Sequence, residues 1–286
     1  MSSQPMTLQS SVVRHDQIFR ETKWLAAIII PFLIAAFYIL FLRPTETGEL
    51  FAWKINPTMT SMMLASAYIG GAYYFLRVIT ANRWHHIKVG LLPVTAFASI
   101  LGIATILHWD RFNHAHISFV TWTALYFTTP FLVIATWLRN RVTDPGTADP
   151  DDVLIPAPWR WGMGIVGAIT IGVSLLLFIQ PSLMISVWPW QLTPLTARVA
   201  SAMFALPGLV GLGIALDSRW SNARLILQSQ AFSILLILIS AARAWGEFNQ
   251  SNPVTFLFVG GLALLLIAII ACYLFMESRR PKAETV

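Results

Sequence analysis

The chain has 286 residues, of which 56% are hydrophobic and only 11% are charged, and its formal net charge is +6. A soluble globular domain carries roughly 25% charged residues, so this composition excludes an ordinary soluble fold. The basic residues lie at the ends of apolar runs, where they set the orientation of membrane helices, and they do not indicate nucleic-acid binding. The composition therefore predicts an all-α, multi-pass membrane protein whose first partner is the lipid bilayer.

Eight apolar runs follow one another along the chain, and each is long enough to cross a bilayer core of ~30 Å as a helix. The predicted spans are Trp24–Leu42, Thr58–Thr80, Val89–Trp109, Ile117–Leu138, Trp159–Gln180, Leu195–Leu216, Ala223–Trp245 and Val254–Met276. An even number of spans places both termini on one side of the membrane. The single cysteine, Cys272, lies in the last run, so no internal disulfide can form.

Arginine and lysine are distributed unevenly between the two sides that these spans define. With the N-terminus inside, the outer side carries five of the nineteen basic residues and the inner side carries the rest. Cytoplasmic loops of membrane proteins are enriched in basic residues. We therefore expect both termini in the cytoplasm and the protein in a plasma or inner membrane. The outer five are Arg43, Lys54, Arg111, Arg198 and Arg243.

Aromatic residues, prolines and asparagines recur in the second half of the chain 136 or 137 positions after their counterparts in the first half. The matched pairs are Trp53 and Trp190, Pro57 and Pro194, Phe112 and Phe248, and Asn113 and Asn249. Four spans in each copy give the two copies the same orientation, related by an axis along the membrane normal. The pattern predicts a bundle built as a 4+4 parallel internal repeat.

This repeat divides the chain into five predicted parts. They are a polar cytoplasmic tail over 1–22, a first four-helix repeat over 23–141, a cytoplasmic Asp/Pro-rich linker over 142–158, a second repeat over 159–278 and a basic cytoplasmic tail over 279–286. The linker is interpreted as a solvated, turn-rich connection. His85 and His86, on the inner loop between spans two and three, are expected to face lipid headgroups.

Two further patterns predict packing. Small residues recur every fourth position in span five, at Gly164, Ala168 and Gly172, and such spacing lets helix backbones approach closely in lipid. The outer loops 50–57 and 183–194 are unusually apolar, and we expect them to lie flat in the membrane interface or to fold over the bundle as lids.

The middles of all eight spans contain no Asp, Glu, Lys, Arg or His, which argues against an ion- or proton-coupled pump and against a midplane bis-histidine haem. Polar side chains gather at the outer ends instead. The candidate ligand-binding residues are His108, Asp110, Arg198, Arg243 and Glu247. We expect them to flank one crevice between the repeats, where either the two carboxylates or an anionic ligand would be the partner of the arginines. A carboxylate neighbour would raise the pKa of His108.

The same outer region offers four metal-ligand candidates, His108, Asp110, His114 and His116. Their spacing matches no known metal motif, so the preferred interpretation is a wet loop whose histidines are interfacial or capping residues. No catalytic residues are predicted, because no nucleophile–base pair, phosphate-binding loop or carboxylate dyad is visible. No motif indicates a cofactor.

Three classes of function fit these observations. The favoured one is a permease-like or ligand-binding protein for a lipophilic or weakly polar small molecule, held in an outer-facing crevice between the repeats. The second is a structural or accessory subunit of a larger membrane complex. The third is a metal-dependent membrane enzyme that uses the outer histidines. The duplication and the apolar interior favour the first class, and the sequence gives no positive sign of an enzyme.

Overall fold

The computed structural model describes residues 15–281, and these form eight helices that are long and apolar enough to cross a membrane. We name them α1 to α8 in chain order. Their bounds are α1 Arg20–Leu42, α2 Thr58–Thr80, α3 Lys88–Leu107, α4 Ile117–Thr143, α5 Ala157–Ile179, α6 Pro194–Leu216, α7 Trp220–Arg243 and α8 Pro253–Ser278. The prediction of a polytopic bundle of eight spans is confirmed. The tail residues 1–14 and 282–286 lie outside the described residues.

The third and seventh helices end two residues before the predicted limits, and the cause is the same in both. A single 3-10 turn follows each of them, Trp109–Arg111 after α3 and Trp245–Glu247 after α7. These turns lie at one end of the bundle, which we call the loop face and which carries residues 43–57, 108–116, 180–193 and 244–252. The opposite end, the linker face, carries residues 81–87, 144–156 and 217–219.

Four helices form the centre of the bundle, and the other four pack around them. The central helices are α2, α3, α6 and α7, where α2 packs against α7 and α3 packs against α6. The outer helices α1 and α5 pack on α2 and α6, while α4 and α8 pack on α3 and α7. In these contacts, each helix of α1–α4 has the same neighbours, in the corresponding positions, as its counterpart in α5–α8. A duplicated four-helix unit would produce this order, and the superposition of the two halves stays a prediction.

The two long loops of the loop face are held in matching ways. The ring of Trp53 lies 5.1 Å from that of Phe112, and the ring of Trp190 lies 5.0 Å from that of Phe248. Trp53 and Trp190 are buried. The loops therefore fold over the end of the bundle, which is one of the two expected arrangements, and they do not lie flat in the interface.

Backbone hydrogen bonds tie each of these loops to the turn that follows the third helix of its own half. The amide of Asn113 donates to the carbonyl of Ala52 over 2.8 Å, and the amide of Asn249 donates to the carbonyl of Pro189 over 2.7 Å. The recurrent Asn positions thus mark where each half closes its loop face.

Helices α5 and α6 approach each other closely through glycines on both helices. A Cβ atom added at Gly167 would lie 2.5 Å from the carbonyl oxygen of Gly208, and one added at Gly164 would lie 2.6 Å from the Cβ of Ala215. The close packing predicted for span five is present at Gly164. Ala168 and Gly172 depart from the prediction, because Ala168 is exposed and Gly172 faces open space. The tight stripe runs through Gly167 because the contacting face follows the 3.6-residue period of the helix.

The linker and the segment before α1 are packed structure. Asp16 exchanges backbone hydrogen bonds with its neighbours, donating to the carbonyl of Thr143 and accepting from the amide of Trp84. The linker is hydrogen-bonded to the start of α7, where the backbone amide of Trp220 donates to the carbonyl of Val153 over 2.9 Å. The linker has turns and many exposed residues, as expected, but its aspartates are bound by arginine, lysine and histidine side chains.

Candidate functional site

Two of the five predicted ligand-binding residues contact each other across the halves of the chain. Nη1 of Arg198 lies 2.7 Å from Nε2 of His108, and its Nε donates to the carbonyl of Phe178 over 3.0 Å. Burial lowers the pKa of His108, and the charge of Arg198 lowers it further. The expected upward shift was wrong, because a cation and not a carboxylate is the closest charged partner of the ring.

The other three predicted residues have separate partners. Arg243 donates to the carbonyl of Phe41 over 3.1 Å and lies over that ring. Asp110 pairs with its neighbour Arg111 on the exposed surface. Glu247 accepts hydrogen bonds from the first turn of α2. None of the five lines either of the two cavities described below. A shared ligand site for them stays a prediction.

The outer metal candidates also have other partners. Nε2 of His114 lies 2.9 Å from the carbonyl of Trp109, and its ring stacks on that indole. Nδ1 of His116 accepts from the amide of Ser118 and caps α4. His116 is thus a capping residue, as the preferred interpretation held, and metal binding by the outer four stays a prediction that these partners do not favour.

A chain of four polar side chains joins the two halves at the linker face. Nδ1 of His85 donates to the carboxylate of Asp16 over 2.5 Å, and its Nε2 lies 3.0 Å from Oγ of Ser221. Ser221 in turn donates to the carboxylate of Asp152 over 2.5 Å. His85 is fully buried. The expectation that His85 faces lipid headgroups was therefore wrong.

A third carboxylate closes this cluster from the linker. Oδ2 of Asp149 lies 2.9 Å from Nε2 of His86 and 3.7 Å from Nε2 of His85, while its other oxygen accepts from Arg83. Burial lowers the pKa of His86, and the hydrogen bond to Asp149 opposes that shift. Within residues 15–281, His85, His86 and Asp149 are the one group of three possible metal ligands whose donor atoms all lie within 4.8 Å of one another.

A polar cavity of about 370 Å³ borders the cluster on the linker face. His86, Asp149 and Ser221 lie in its wall, together with Arg77 and Arg224. Arg224 pairs with Glu277, whereas the side chain of Arg77 has no partner among the described residues. The cluster is thus accessible to a small polar molecule through this cavity.

Beside this cavity, a charge-balanced network of two cations and two carboxylates fastens the linker to the bundle. Lys88 lies 2.6 Å from both Asp144 and Asp217, and Arg219 pairs with the same two carboxylates. Burial raises the pKa of Asp217, but hydrogen bonds from Arg219 and Lys88 outweigh it and lower the pKa to about 2. The same cations hold the pKa of Asp144 well below its usual range despite burial. The network therefore stays ionised at neutral pH.

An apolar cavity lies between the halves, inside the membrane-spanning region. Its volume is about 580 Å³, and residues of all eight helices line it. The walls are aliphatic and aromatic, with few polar groups. The hydroxyls of Tyr68 and Tyr126 lie in the wall and are hydrogen-bonded to each other at 2.7 Å. Such a space accommodates an apolar molecule of drug or lipid size, since ligand pockets typically measure 300–1,000 Å³.

Two buried N–H donors in the wall of this cavity have no hydrogen-bond partner within residues 15–281. They are Nε1 of Trp188, at the loop face, and Nε2 of Gln230, near the middle of α7. The neighbouring Gln228 differs, because it is bound by Tyr73 and Tyr273. An unpaired donor in an apolar environment costs roughly 1–3 kcal/mol. Both atoms are buried, so an acceptor in the cavity would bond to them only after the side chain of Trp188 or Gln230 turns towards it.

The cavity wall differs between the two halves of the chain. Ile29 of α1 and Val166 of α5, which the offset of 137 aligns, both line it. Ile29 is 6% exposed, whereas Val166 is 63% exposed. α1 packs against α4, while packing of similar extent between α5 and α8 is absent from the described part of the chain. The cavity is thus less covered beside α5, on the side that faces lipid.

Comparison of the chain with models of protein families, with curated proteins and with solved structures found no match. The class of protein rests on the fold alone, and that class is a polytopic α-helical membrane protein with an apolar cavity at its centre. The sequence interpretation missed this cavity and the polar cluster of the linker face. A partial signal for the cluster was the repeat offset of 136, which aligns His85 with Ser221.

Proposed function

We propose that the protein binds a lipophilic small molecule in the central cavity and acts as a permease-like or ligand-binding protein. The observation that carries the proposal is the 580 Å³ apolar space lined by all eight helices. Burial of apolar ligand surface stabilises binding by roughly 25 cal/mol per Å². The proposal places the ligand within the spans, deeper than the outer crevice expected from the sequence.

The unpaired donors define the polar part of this ligand. A molecule with a carbonyl, ester or similar acceptor would satisfy Gln230 at mid-depth or Trp188 at the loop face, once that side chain turns into the cavity. A pure hydrocarbon would leave both donors unpaired. We therefore expect a long apolar molecule with at least one neutral hydrogen-bond acceptor, entering from the bilayer beside α5 where the wall is least covered.

The test is photolabelling of the full-length protein in nanodiscs with a long-chain ketone that carries a diazirine. Peptides of α2, α6 and α7 should be labelled. Ala67→Phe should reduce the labelling several-fold, because Ala67 lines the cavity and a phenyl ring would occupy part of it. The matched control is Ala35→Phe on the exposed face of α1, which should leave labelling unchanged. Labelling confined to lipid-facing residues, or unaffected by Ala67→Phe, would contradict the proposal.

A second comparison tests the acceptor. Gln230→Leu should weaken binding of the ketone roughly fivefold, which corresponds to the ~1 kcal/mol of one hydrogen bond. It should not weaken binding of an alkane probe of the same length. An equal loss of affinity for the ketone and for the alkane would show that Gln230 affects binding only through the volume of its side chain.

We further propose that the linker face lies in the cytoplasm and that the membrane is a plasma or inner membrane. The support is the excess of arginine and lysine at that face, which the positive-inside rule assigns to the cytoplasmic side.

A further inference from the structure

We propose that His85, His86 and Asp149 form a binding site for a divalent transition-metal ion at the linker face. The inference is independent of the ligand assigned to the central cavity. It rests on donor geometry, on the partners that orient the donors and on the cavity that borders them.

The donor atoms are spaced as metal ligands are. A tetrahedral zinc ion with bonds of about 2.1 Å holds its ligand atoms about 3.4 Å apart. Oδ2 of Asp149 lies 2.9 Å from Nε2 of His86 and 3.7 Å from Nε2 of His85. These two separations bracket the ideal value, and the donor atoms of all three residues lie within 4.8 Å of one another. Shifts of about an ångström would therefore complete the site.

Asp16 prepares His85 as a ligand. A carboxylate only accepts hydrogen bonds, so Nδ1 of His85 carries the proton that Asp16 accepts. In the neutral ring this tautomer leaves the lone pair of Nε2 available to a metal ion. Metal-bound histidines commonly have such a carboxylate on the opposite nitrogen, where it fixes the tautomer and the ring orientation. The amide of His85 also donates to Asp16, which holds the carboxylate in place.

Ser221 does not supply a proton to His85. Its single hydroxyl proton is donated to Asp152, so Oγ faces Nε2 of His85 as an acceptor. Nε2 therefore lies among oxygen atoms that cannot donate to it, those of Ser221 and Asp149. A positive charge at Nε2 satisfies this arrangement. A metal ion held together with His86 and Asp149 would supply that charge once Oγ of Ser221, 3.0 Å from Nε2, moves aside.

Three protein ligands leave a fourth coordination position open, as in metal sites that bind an exchangeable molecule. The cavity of about 370 Å³ on the linker face is lined by His86 and Asp149, so water or a small polar molecule reaches the site. Two imidazoles and one carboxylate are typical donors for zinc and for non-haem iron(II), and these two ions are the expected occupants.

The test uses the full-length protein in detergent, stripped with a chelator and then titrated with Zn²⁺, with Fe²⁺ under anaerobic conditions, and with Co²⁺ as a spectroscopic substitute. We expect one ion per chain and the visible absorption of four-coordinate Co²⁺. His86→Ala and Asp149→Asn should each weaken binding at least tenfold, and Asp16→Asn should weaken it 10- to 100-fold. His86 is only partly buried, so its removal leaves the core intact.

The matched controls are His114→Ala and His116→Ala at the loop face, which should bind the ion as the unmodified protein does. Because an ion bound only to the native state stabilises it, zinc should raise the Tm of the unmodified protein and of these controls but not that of His86→Ala. Absence of stoichiometric binding, binding unchanged in His86→Ala and Asp149→Asn, or binding lost in the His114 or His116 variants would each overturn the proposal.

Discussion

Glu247 accepts three hydrogen bonds from the start of α2, two from Thr58 and one from the amide of Met59, at distances between 2.7 and 3.0 Å. Thr58 is 189 residues away in the chain and belongs to the other half. The residue before α2 is Pro57, whose side chain forms no cap. Helix α6 begins differently, because Thr193 and Thr196 form a capping box. A carboxylate from the 3-10 turn after α7 thus caps the start of α2, whereas α6 is capped by residues of its own first turn.

The first prediction follows from this cap. Glu247→Ala should lower the free energy of unfolding by about 1–2 kcal/mol, since it leaves the first amides of α2 unpaired. The measurement is thermal or denaturant unfolding in detergent. Glu46→Ala serves as the control, because Glu46 only forms a half-exposed pair with Arg43. Equal destabilisation by both substitutions would remove the capping role.

The second prediction concerns the contact between α5 and α6. Gly167→Leu should destabilise the protein by about 2 kcal/mol or more, because backbone atoms of α6 occupy the space that the new side chain needs. Gly172→Leu, on the same helix but facing open space, should be nearly neutral. Unfolding curves of the two variants decide the point. A neutral Gly167→Leu would show that the two helices can separate without cost.

The third prediction is the acid sensitivity of the linker face. Because the folded-state pKa of Asp217 lies below the unfolded value of 3.8, its stabilisation is present above about pH 4 and is lost as the pH falls towards 2. This contribution amounts to roughly 2 kcal/mol. Unfolding measured across this window should be less pH-dependent in Asp217→Asn. The control Asp110→Asn, at an exposed carboxylate of the loop face, should retain the dependence of the unmodified protein.

The fourth prediction is the topology. Reporters fused after Lys282 and inserted within 144–152 should both give a cytoplasmic signal, because basic residues are concentrated at the ends of the spans on that side. A reporter inserted near Asn113, on the loop face, should give the opposite signal. An external signal at either of the first two sites would reverse the proposed orientation.

The fifth prediction is the repeat. In a Cys272→Ser background, cysteine pairs at Ala52/Asn113 and at Pro189/Asn249 should cross-link equally with a short reagent, because each pair shares one backbone hydrogen bond at the same place in its half. Variants with only one of the two cysteines measure the level of nonspecific cross-linking. Cross-linking in one half alone would show that 23–138 and 160–276 do not share one arrangement.

The sequence by itself determined the number of spans and their order. These properties are local, because a run of about twenty apolar residues must form a membrane helix wherever its neighbours lie. The sequence also predicted the capping role of His116, because the amide that it caps, that of Ser118, is only two residues away. The repeat offset of 136 or 137 residues predicts a duplicated unit, and this duplication stays a prediction.

The tertiary structure decided which polar groups meet. The hydrogen-bond partners of His85 lie 69 and 136 positions away in the chain. Glu247 binds the start of α2, 189 positions away and in the other half. No local sequence pattern predicts contacts over such separations. The sequence placed the candidate ligand-binding site at the loop face because Arg198 and Arg243 lie on the side where basic residues are rare. Their carbonyl and ring partners come from distant helices. The central cavity likewise depends on how the eight helices pack. The sequence does not distinguish apolar side chains that face lipid from those that face a neighbouring helix or an open space.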